Sequence, residues 1–252
     1  MNNRQILNHA LIARRYFFPR RDGVTNPFWI DCRGVRLACV YHEVSPDALT
    51  LVHFHGNGEV VADYLDVLPA LIGDMDCNCL LAEYRGYGAS AGAPLLGEML
   101  EDAPDIIRAL GVAPEKLVLF GRSVGSLFAI KAAGRFPQAA GLILESGIAD
   151  PLERLLLRIA PEEIGATRQQ LAAALRASLD VPAVLQAFHR PALIMHARHD
   201  ELIDPSHAER LAAWCAGPVR LQVFPEGGHN DIMFVNSRQY FALLRVFLES
   251  LQ

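Results

Sequence analysis

The chain has 252 residues, of which 52% are hydrophobic, and its formal net charge is −5 at pH 7. One α/β domain of this length is ordinary, and the high apolar fraction fits a sheet that is buried on both faces. The acidic balance does not favour a nucleic-acid partner, and no apolar run approaches the roughly 18 residues of a membrane span. We therefore expect no nucleic-acid binding and no stable membrane insertion.

The cysteines and the N-terminal segment indicate the cellular compartment. Five cysteines form no Cys-x-x-Cys pair and mostly lie in apolar stretches, at Cys32, Cys39, Cys77, Cys79 and Cys215. This pattern predicts buried free thiols in a reducing compartment, in preference to disulfides or a metal site. Residues 1–27 contain no apolar core typical of a secretory signal, so we expect a cytoplasmic protein whose N-terminal segment packs on the core rather than on an anionic membrane surface.

Short apolar runs that predict strands alternate with helical patterns along most of the chain. The predicted strands cover residues 29–30, 35–41, 49–54, 78–82, 117–120, 141–145, 192–196 and 219–224. The predicted helices cover residues 60–73, 97–110, 125–134, 168–178, 206–215 and 239–251, and Pro104 should kink or divide the second of them. This alternation indicates β-α-β units, and hence an α/β fold with a mostly parallel central sheet flanked by helices.

The alternation is interrupted between residues 150 and 190. A leucine-rich piece and an alanine-rich helix occupy this stretch, where the next strand would otherwise follow. We interpret residues 151–190 as a small helical cap, with ordinary crossover helices as the alternative. The predicted organisation is an N-terminal segment (1–27), a core (28–150 and 191–252) and the cap.

Ser123 is the candidate nucleophile. It is the central residue of Gly-Arg-Ser-Val-Gly (121–125), which lies between a predicted buried strand and a predicted helix. In that context G-x-S-x-G makes a sharp turn that holds the serine in a strained conformation, and its flanking glycines make the turn sterically accessible. The serine hydroxyl is then exposed above the edge of the sheet.

A serine hydroxyl needs a base, and a histidine base works best when a carboxylate holds its tautomer. Asp200 follows the predicted strand 192–196, and His229 follows the predicted strand 219–224. Catalytic groups gather at the carboxyl edge of open parallel sheets, where both residues would lie. The order Ser123, Asp200, His229 is the one expected when the nucleophile lies on a G-x-S-x-G turn. Asp204 is the reserve acid, and Glu145 is a more distant one.

Four motifs together make the chain resemble an α/β-hydrolase over nearly all of residues 28–251. They are His-Gly-Asn-Gly (55–58), Tyr-Arg-Gly-Tyr-Gly (84–88), the turn at 121–125, and the loops 196–205 and 228–231. The pattern is most similar to the small-capped branch that contains bacterial esterases, lysophospholipases and protein depalmitoylases. Ala197 stands where the acid loop of that branch more often has glycine.

The resemblance implies a serine hydrolase of carboxylic esters or thioesters, with no cofactor and no metal. It assigns Ser123 as nucleophile, Asp200 as orienting acid and His229 as base, and it places the backbone N–H groups of Asn57 and Val124 in the oxyanion hole. The substrate would be a small acyl ester or thioester, and the leucine-rich cap favours an apolar acyl group. A peptidase, an acyltransferase and a catalytically silent protein that binds a small ligand are the alternatives.

For several other polar residues the sequence gives a weaker indication of a functional role. His53 and His55 are two apart on a predicted strand and would share a face, and we expect His55 to fix the oxyanion loop rather than to bind a metal. His199 and His207 are predicted to lie at the surface or behind the site. Arg85 is predicted to brace loops beneath the site, with a solvated turn as the alternative. The sequence does not decide whether Arg122 faces the pocket or the solvent.

Overall fold

The computed structural model describes all 252 residues and contains one eight-stranded sheet. Its strands are β1 (Phe28–Cys32), β2 (Val35–His42), β3 (Leu49–Phe54), β4 (Cys77–Ala82), β5 (Leu117–Arg122), β6 (Gly141–Glu145), β7 (Ala192–Ala197) and β8 (Val219–Phe224). Their order across the sheet is β1-β2-β4-β3-β5-β6-β7-β8. Strands β3 to β8 run parallel to one another, and β2 is antiparallel to both β1 and β4. The predicted α/β class with a mostly parallel sheet is confirmed.

Helices connect and cover these strands. They are α1 (Asn3–Leu7), α2 (Ala10–Tyr16), α3 (Leu68–Gly73), α4 (Leu96–Leu110), α5 (Gly125–Arg135), α6 (Pro151–Leu156), α7 (Arg168–Ser178), α8 (Val181–Ala187), α9 (Ser206–Trp214), α10 (Ile232–Val235) and α11 (Ser237–Glu249). Short 3-10 helices cover Val61–Tyr64, Pro114–Lys116 and Pro161–Ile164. No helix combines the length and the apolar character needed to cross a bilayer.

The sheet is buried on both faces, because successive side chains of a strand point to opposite sides. In β5, Leu117 and Leu119 pack into the larger apolar cluster, whereas Val118 and Phe120 pack into the smaller one on the other face. Every residue of β3 to β7 is buried. This explains why these strands are continuous apolar runs rather than alternating ones.

One helix prediction is contradicted by the structure, and one pair of alternatives is narrowed. The single helix predicted over residues 60–73 is wrong, because a 3-10 helix ends at Tyr64 and α3 begins at Leu68. Pro69 lies in the first turn of α3, where its missing N–H costs nothing, but it could not continue a helix from residue 60. Of the two alternatives for the helix that contains Pro104, division into two pieces is wrong, because α4 is one helix with Pro104 inside it and a buried apolar face.

Residues 151–190 contain helices joined by short turns, and no strand. α6 packs on α7, and α7 packs on α1 of the N-terminal segment, whereas α8 packs between α5 and α9 like a crossover helix. The guanidinium of Arg15 in α2 also pairs with Glu163 at 2.7 Å. The division of the chain into segment, core and cap stays a prediction, with α8 nearer to the core than α6 and α7.

Candidate active site

Ser123 lies in a strained turn between β5 and α5. Its φ angle is 52°, in the left-handed region that is costly for residues with a side chain. The backbone N–H of Ser123 donates to the carbonyl oxygen of Glu145 at 2.8 Å, which holds the turn against β6. A Cβ atom on Gly125 would overlap the carbonyl oxygen of Phe54, so a glycine is required there for the helix to pass over β3. The local sequence therefore fixes the serine at the carboxyl edge of the sheet.

The structure brings Ser123, His229 and Asp200 into one hydrogen-bonded series. His229 Nε2 lies 2.9 Å from Ser123 Oγ, and His229 Nδ1 lies 2.7 Å from Asp200 Oδ2. An ionised carboxylate can only accept hydrogen bonds, so the proton of the neutral imidazole lies on Nδ1 and Nε2 can accept from the serine hydroxyl. All three residues are buried.

Asp200 is held in place by the loop that follows β7. Its Oδ1 accepts from the backbone N–H groups of Leu202, at 2.9 Å, and Ile203, at 2.8 Å. Burial alone would raise the pKa of Asp200, but hydrogen bonds from His196, His229 and the Ile203 backbone hold it far below its ordinary value. The carboxylate therefore stays ionised throughout the range in which a histidine titrates.

The two reserve acids have other partners. Asp204 is the acceptor for the backbone N–H of Ser206, at 2.9 Å, at the start of α9. Glu145 accepts a hydrogen bond from the hydroxyl of Tyr240 and pairs with Arg122 at 3.0 Å. Asp200 is thus the carboxylate that contacts His229.

Asn57 and Val124 line the same cleft as Ser123 and His229, and the cleft has a volume of about 260 Å³. Val124 immediately precedes α5, so its N–H group has no acceptor within the helix. The Asn57 side chain is fixed by the N-terminal segment: its Oδ1 accepts from the Phe18 N–H at 3.0 Å, and its Nδ2 donates to the Tyr16 carbonyl. The backbone N–H of Asn57 has no protein acceptor.

A buried pair of a histidine and a carboxylate, His55 and Glu83, lies beside the loop that carries Asn57. The sequence indicated a role for His55 in this loop but did not identify Glu83 as its partner. His55 Nε2 is 2.8 Å from Glu83, and its Nδ1 is 2.8 Å from the carbonyl oxygen of Gly56. Burial would lower the pKa of His55, but the Glu83 carboxylate and the Gly56 carbonyl raise it above the ordinary value. His55 is thus bonded within the loop that carries Asn57.

The prediction that His53 and His55 share a face is wrong, because β3 ends at Phe54 and the chain turns there. His53 packs against Tyr64 and Phe120, and burial lowers its pKa well below the ordinary value. His55 instead packs against Tyr84, at a ring distance of 4.1 Å.

The guanidinium of Arg122, which the sequence could not orient, points inward. It is buried, pairs with Glu59 and with Glu145, and donates from Nη2 to the backbone carbonyl of His229 at 2.7 Å. Glu59 in turn accepts from the N–H of Gly56 at 2.6 Å. One guanidinium therefore connects the strand of Ser123 with the loops of Asn57 and His229.

The remaining predicted residues lie away from the reacting groups. Arg85 is buried and paired with Asp102 of α4 at 2.5 Å, so the solvated alternative is wrong. His207 is buried rather than at the surface, and its Nδ1 accepts from the N–H of Ala149 at 3.0 Å. His199 is exposed.

Comparisons with known proteins agree with this fold. A family model described as "Serine aminopeptidase, S33" matches residues 45–167, and one described as "alpha/beta hydrolase fold" matches residues 159–234. The chain is 30% identical over 225 residues to alpha/beta hydrolase domain-containing protein 17C of Xenopus laevis. The aligned region covers 87% of this chain and 68% of that protein. It is 29% identical over 221 residues to alpha/beta hydrolase domain-containing protein 17B of Homo sapiens, and the aligned region covers 86% of this chain and 72% of that protein.

Solved structures show the same architecture. An esterase from Pyrococcus furiosus superposes with a TM-score of 0.72 at 17% identity, covering 92% of this chain and 98% of that one. A hydrolase from Pseudomonas aeruginosa superposes with a TM-score of 0.66 at 22% identity, covering 89% and 99%. The chain belongs to the α/β-hydrolase superfamily.

Proposed function

We propose that this protein is a serine hydrolase that cleaves carboxylic esters or thioesters through an acyl-enzyme. The observation that carries the proposal is the hydrogen-bonded series from Ser123 through His229 to Asp200, inside a cleft that Asn57 and Val124 also line. Membership of the superfamily supports hydrolysis as the reaction class.

In the proposed mechanism, His229 Nε2 accepts the proton of the Ser123 hydroxyl as the serine oxygen attacks the carbonyl carbon. Asp200 holds the other imidazole proton and stabilises the positive charge that forms on His229. The oxyanion of the tetrahedral intermediate lies between the backbone N–H groups of Asn57 and Val124. Fixed donors of this kind contribute about 3 kcal/mol each without rearrangement.

His229 then returns its proton to the leaving alcohol or thiol, and the carbonyl re-forms as the acyl-enzyme. In the second half of the cycle His229 removes a proton from water, which attacks the acyl-enzyme and regenerates Ser123. The hydrogen bond from the Ser123 N–H to the Glu145 carbonyl oxygen holds the strained turn of the serine in place throughout.

A peptidase is the second candidate, because one matching family model is described as a serine aminopeptidase. An aminopeptidase has to accommodate a positively charged N-terminal ammonium beside the scissile bond. The cleft around Ser123 is lined by Arg154 and Arg158, which have no carboxylate partner, and by no aspartate or glutamate. Like charges disfavour such a substrate, so esters and thioesters are the first choice.

The test is intact-mass analysis after exposure to a fluorophosphonate probe. We expect one adduct on the wild-type protein, none on Ser123→Ala, and a much slower reaction of His229→Ala. Ser146→Ala is the matched control, because Ser146 is a second buried serine with a positive φ angle. Absence of an adduct on folded wild-type protein would contradict the proposal. Matched ester, thioester and amide substrates then separate the reaction classes, and competing alcohols in the assay reveal acyl transfer.

A further inference from the structure

Two arginines lie at the mouth of the candidate active site. Arg154 is in α6 and Arg158 follows four residues later, and both line the cleft that contains Ser123 and His229. Arg154 is half-buried and Arg158 is exposed. Neither residue belongs to the hydrogen-bonded series described above, so their presence in the cleft needs its own explanation.

Neither arginine has a carboxylate partner, because the neighbouring carboxylates are bound elsewhere. Glu153 pairs with Arg210 at 3.2 Å, and the two oxygens of Glu163 bind Arg15 at 2.7 and 2.9 Å. The third arginine of the cleft, Arg122, differs from them because Glu59 and Glu145 neutralise it. Arg154 and Arg158 therefore place two positive charges without carboxylate partners in the cleft of a chain whose net charge is −5.

Contacts with the N-terminal segment set the position of Arg158. Its guanidinium lies over the ring of Phe18, 5.1 Å from the ring centre, where a cation is attracted to the aromatic face. The backbone N–H of Phe18 donates to the Asn57 side chain at 3.0 Å. Arg158 is thereby held beside the loop that carries the proposed oxyanion donor.

We propose that Arg154 and Arg158 bind an anionic group of the substrate, a carboxylate or a phosphate, several bonds from the scissile carbonyl. This inference rests on the proposed hydrolase function and specifies its substrate class. Guanidinium groups bind such anions through paired charge-assisted hydrogen bonds. Apolar side chains of Phe18, Leu202 and Ile203 line the same cleft, so the substrate also has an apolar part.

Two matched ester pairs test the inference. In the first pair, the butanoate ester of 4-hydroxyphenylacetate is compared with the butanoate ester of methyl 4-hydroxyphenylacetate. Only the first compound has a negative charge on its leaving group, and the two phenols have nearly equal acidity. The monoanionic 4-nitrophenyl ester of adipate is compared with 4-nitrophenyl hexanoate, which places the charge on the acyl side. Inhibition by inorganic phosphate and by acetate at constant ionic strength then distinguishes the preferred anion.

We expect wild-type protein to favour the anionic member of one pair about tenfold in kcat/KM, with the preference falling as salt is added. Arg154→Gln/Arg158→Gln should abolish this preference, and Arg154→Glu/Arg158→Glu should invert it. The matched control is Arg190→Glu/Arg220→Glu, two exposed residues at the amino edge of β7 and β8 that change the net charge equally.

Hydrolysis of both pairs without a charge preference would overturn this inference and leave the hydrolase proposal intact. An equal change of preference in the control variant would also overturn it, because the effect would then come from net charge. If none of the four esters is cleaved and the fluorophosphonate probe forms no adduct, the hydrolase proposal fails and this inference fails with it.

Discussion

Replacement of Arg122 by methionine should destabilise the protein more than the loss of one hydrogen bond would. Arg122 and Glu145 are both buried, with 7% and 2% of their surface exposed, and their ion pair measures 3.0 Å. Methionine fills similar space but leaves the Glu145 carboxylate without its cation. Removing one partner of a buried pair typically costs about 3–5 kcal/mol. We therefore expect a loss in that range in the free energy of unfolding at pH 7.5.

The loss should depend on pH, because the pKa of Glu145 is already raised by burial, against the opposing effect of Arg122. Without the guanidinium this pKa rises further. A carboxyl group with a higher pKa in the folded than in the unfolded state binds more protons when folded, so its contribution to stability falls as pH rises through the folded pKa. The deficit of the variant should be largest at pH 7.5 and should shrink as pH falls toward about 4.3, the ordinary value for glutamate.

Urea denaturation of wild type and variant at a series of pH values measures this directly, provided that the m-values agree. The double variant Arg122→Met/Glu145→Gln is the matched control, because a neutral amide in place of the carboxylate should recover most of the loss. The reasoning is refuted if Arg122→Met costs less than about 1 kcal/mol at pH 7.5, or if its deficit is the same at every pH.

Three further perturbations test the site and the core. Asp200→Asn should lower kcat for ester hydrolysis by about 10⁴-fold while the protein stays folded, and a loss below tenfold would contradict the orienting role. Gly125→Ala should lower the free energy of unfolding by about 3 kcal/mol, because the added Cβ overlaps the Phe54 carbonyl; an unchanged urea midpoint would refute this packing. Burial raises the pKa of Cys215 to about 11, and the other four cysteines are fully buried. Iodoacetamide at pH 7.5 should therefore alkylate native protein slowly and at Cys215 first, whereas peptide mapping that finds another cysteine modified first would contradict the burial pattern.

The parts of the molecule that the sequence predicted well are those set by local patterns. The turn at Ser123 was predictable because a buried strand, two glycines and a helix follow one another directly along the chain. Asp200 and His229 could be placed near it because the carboxyl ends of parallel strands lie on one edge of the sheet, whatever the distance along the chain. This topology places the three residues at one edge of the sheet, and their hydrogen bonds depend in addition on the side-chain positions in the structure.

The features that the sequence could not predict depend on contacts between distant segments. Arg122 turns inward because Glu59 and Glu145, which come from a different loop and a different strand, meet its guanidinium. Asn57 is held by Tyr16 and Phe18, about forty positions earlier in the chain. No periodicity or motif records such pairings, and the helical pattern at residues 60–73 misled because it counted apolar residues without the constraint that proline imposes.

The inward orientation of Arg122 also couples the proposed catalytic groups to one another. Its Nη2 holds the carbonyl of His229, and its partner Glu59 holds the N–H of Gly56, next to the proposed oxyanion donor Asn57. A shift of this guanidinium would therefore move the base and the oxyanion loop together relative to Ser123. Lysine has a single charged atom and cannot make all three contacts in this geometry. Arg122→Lys should consequently lower kcat more than it weakens substrate binding, and a variant that changed KM alone would contradict this coupling.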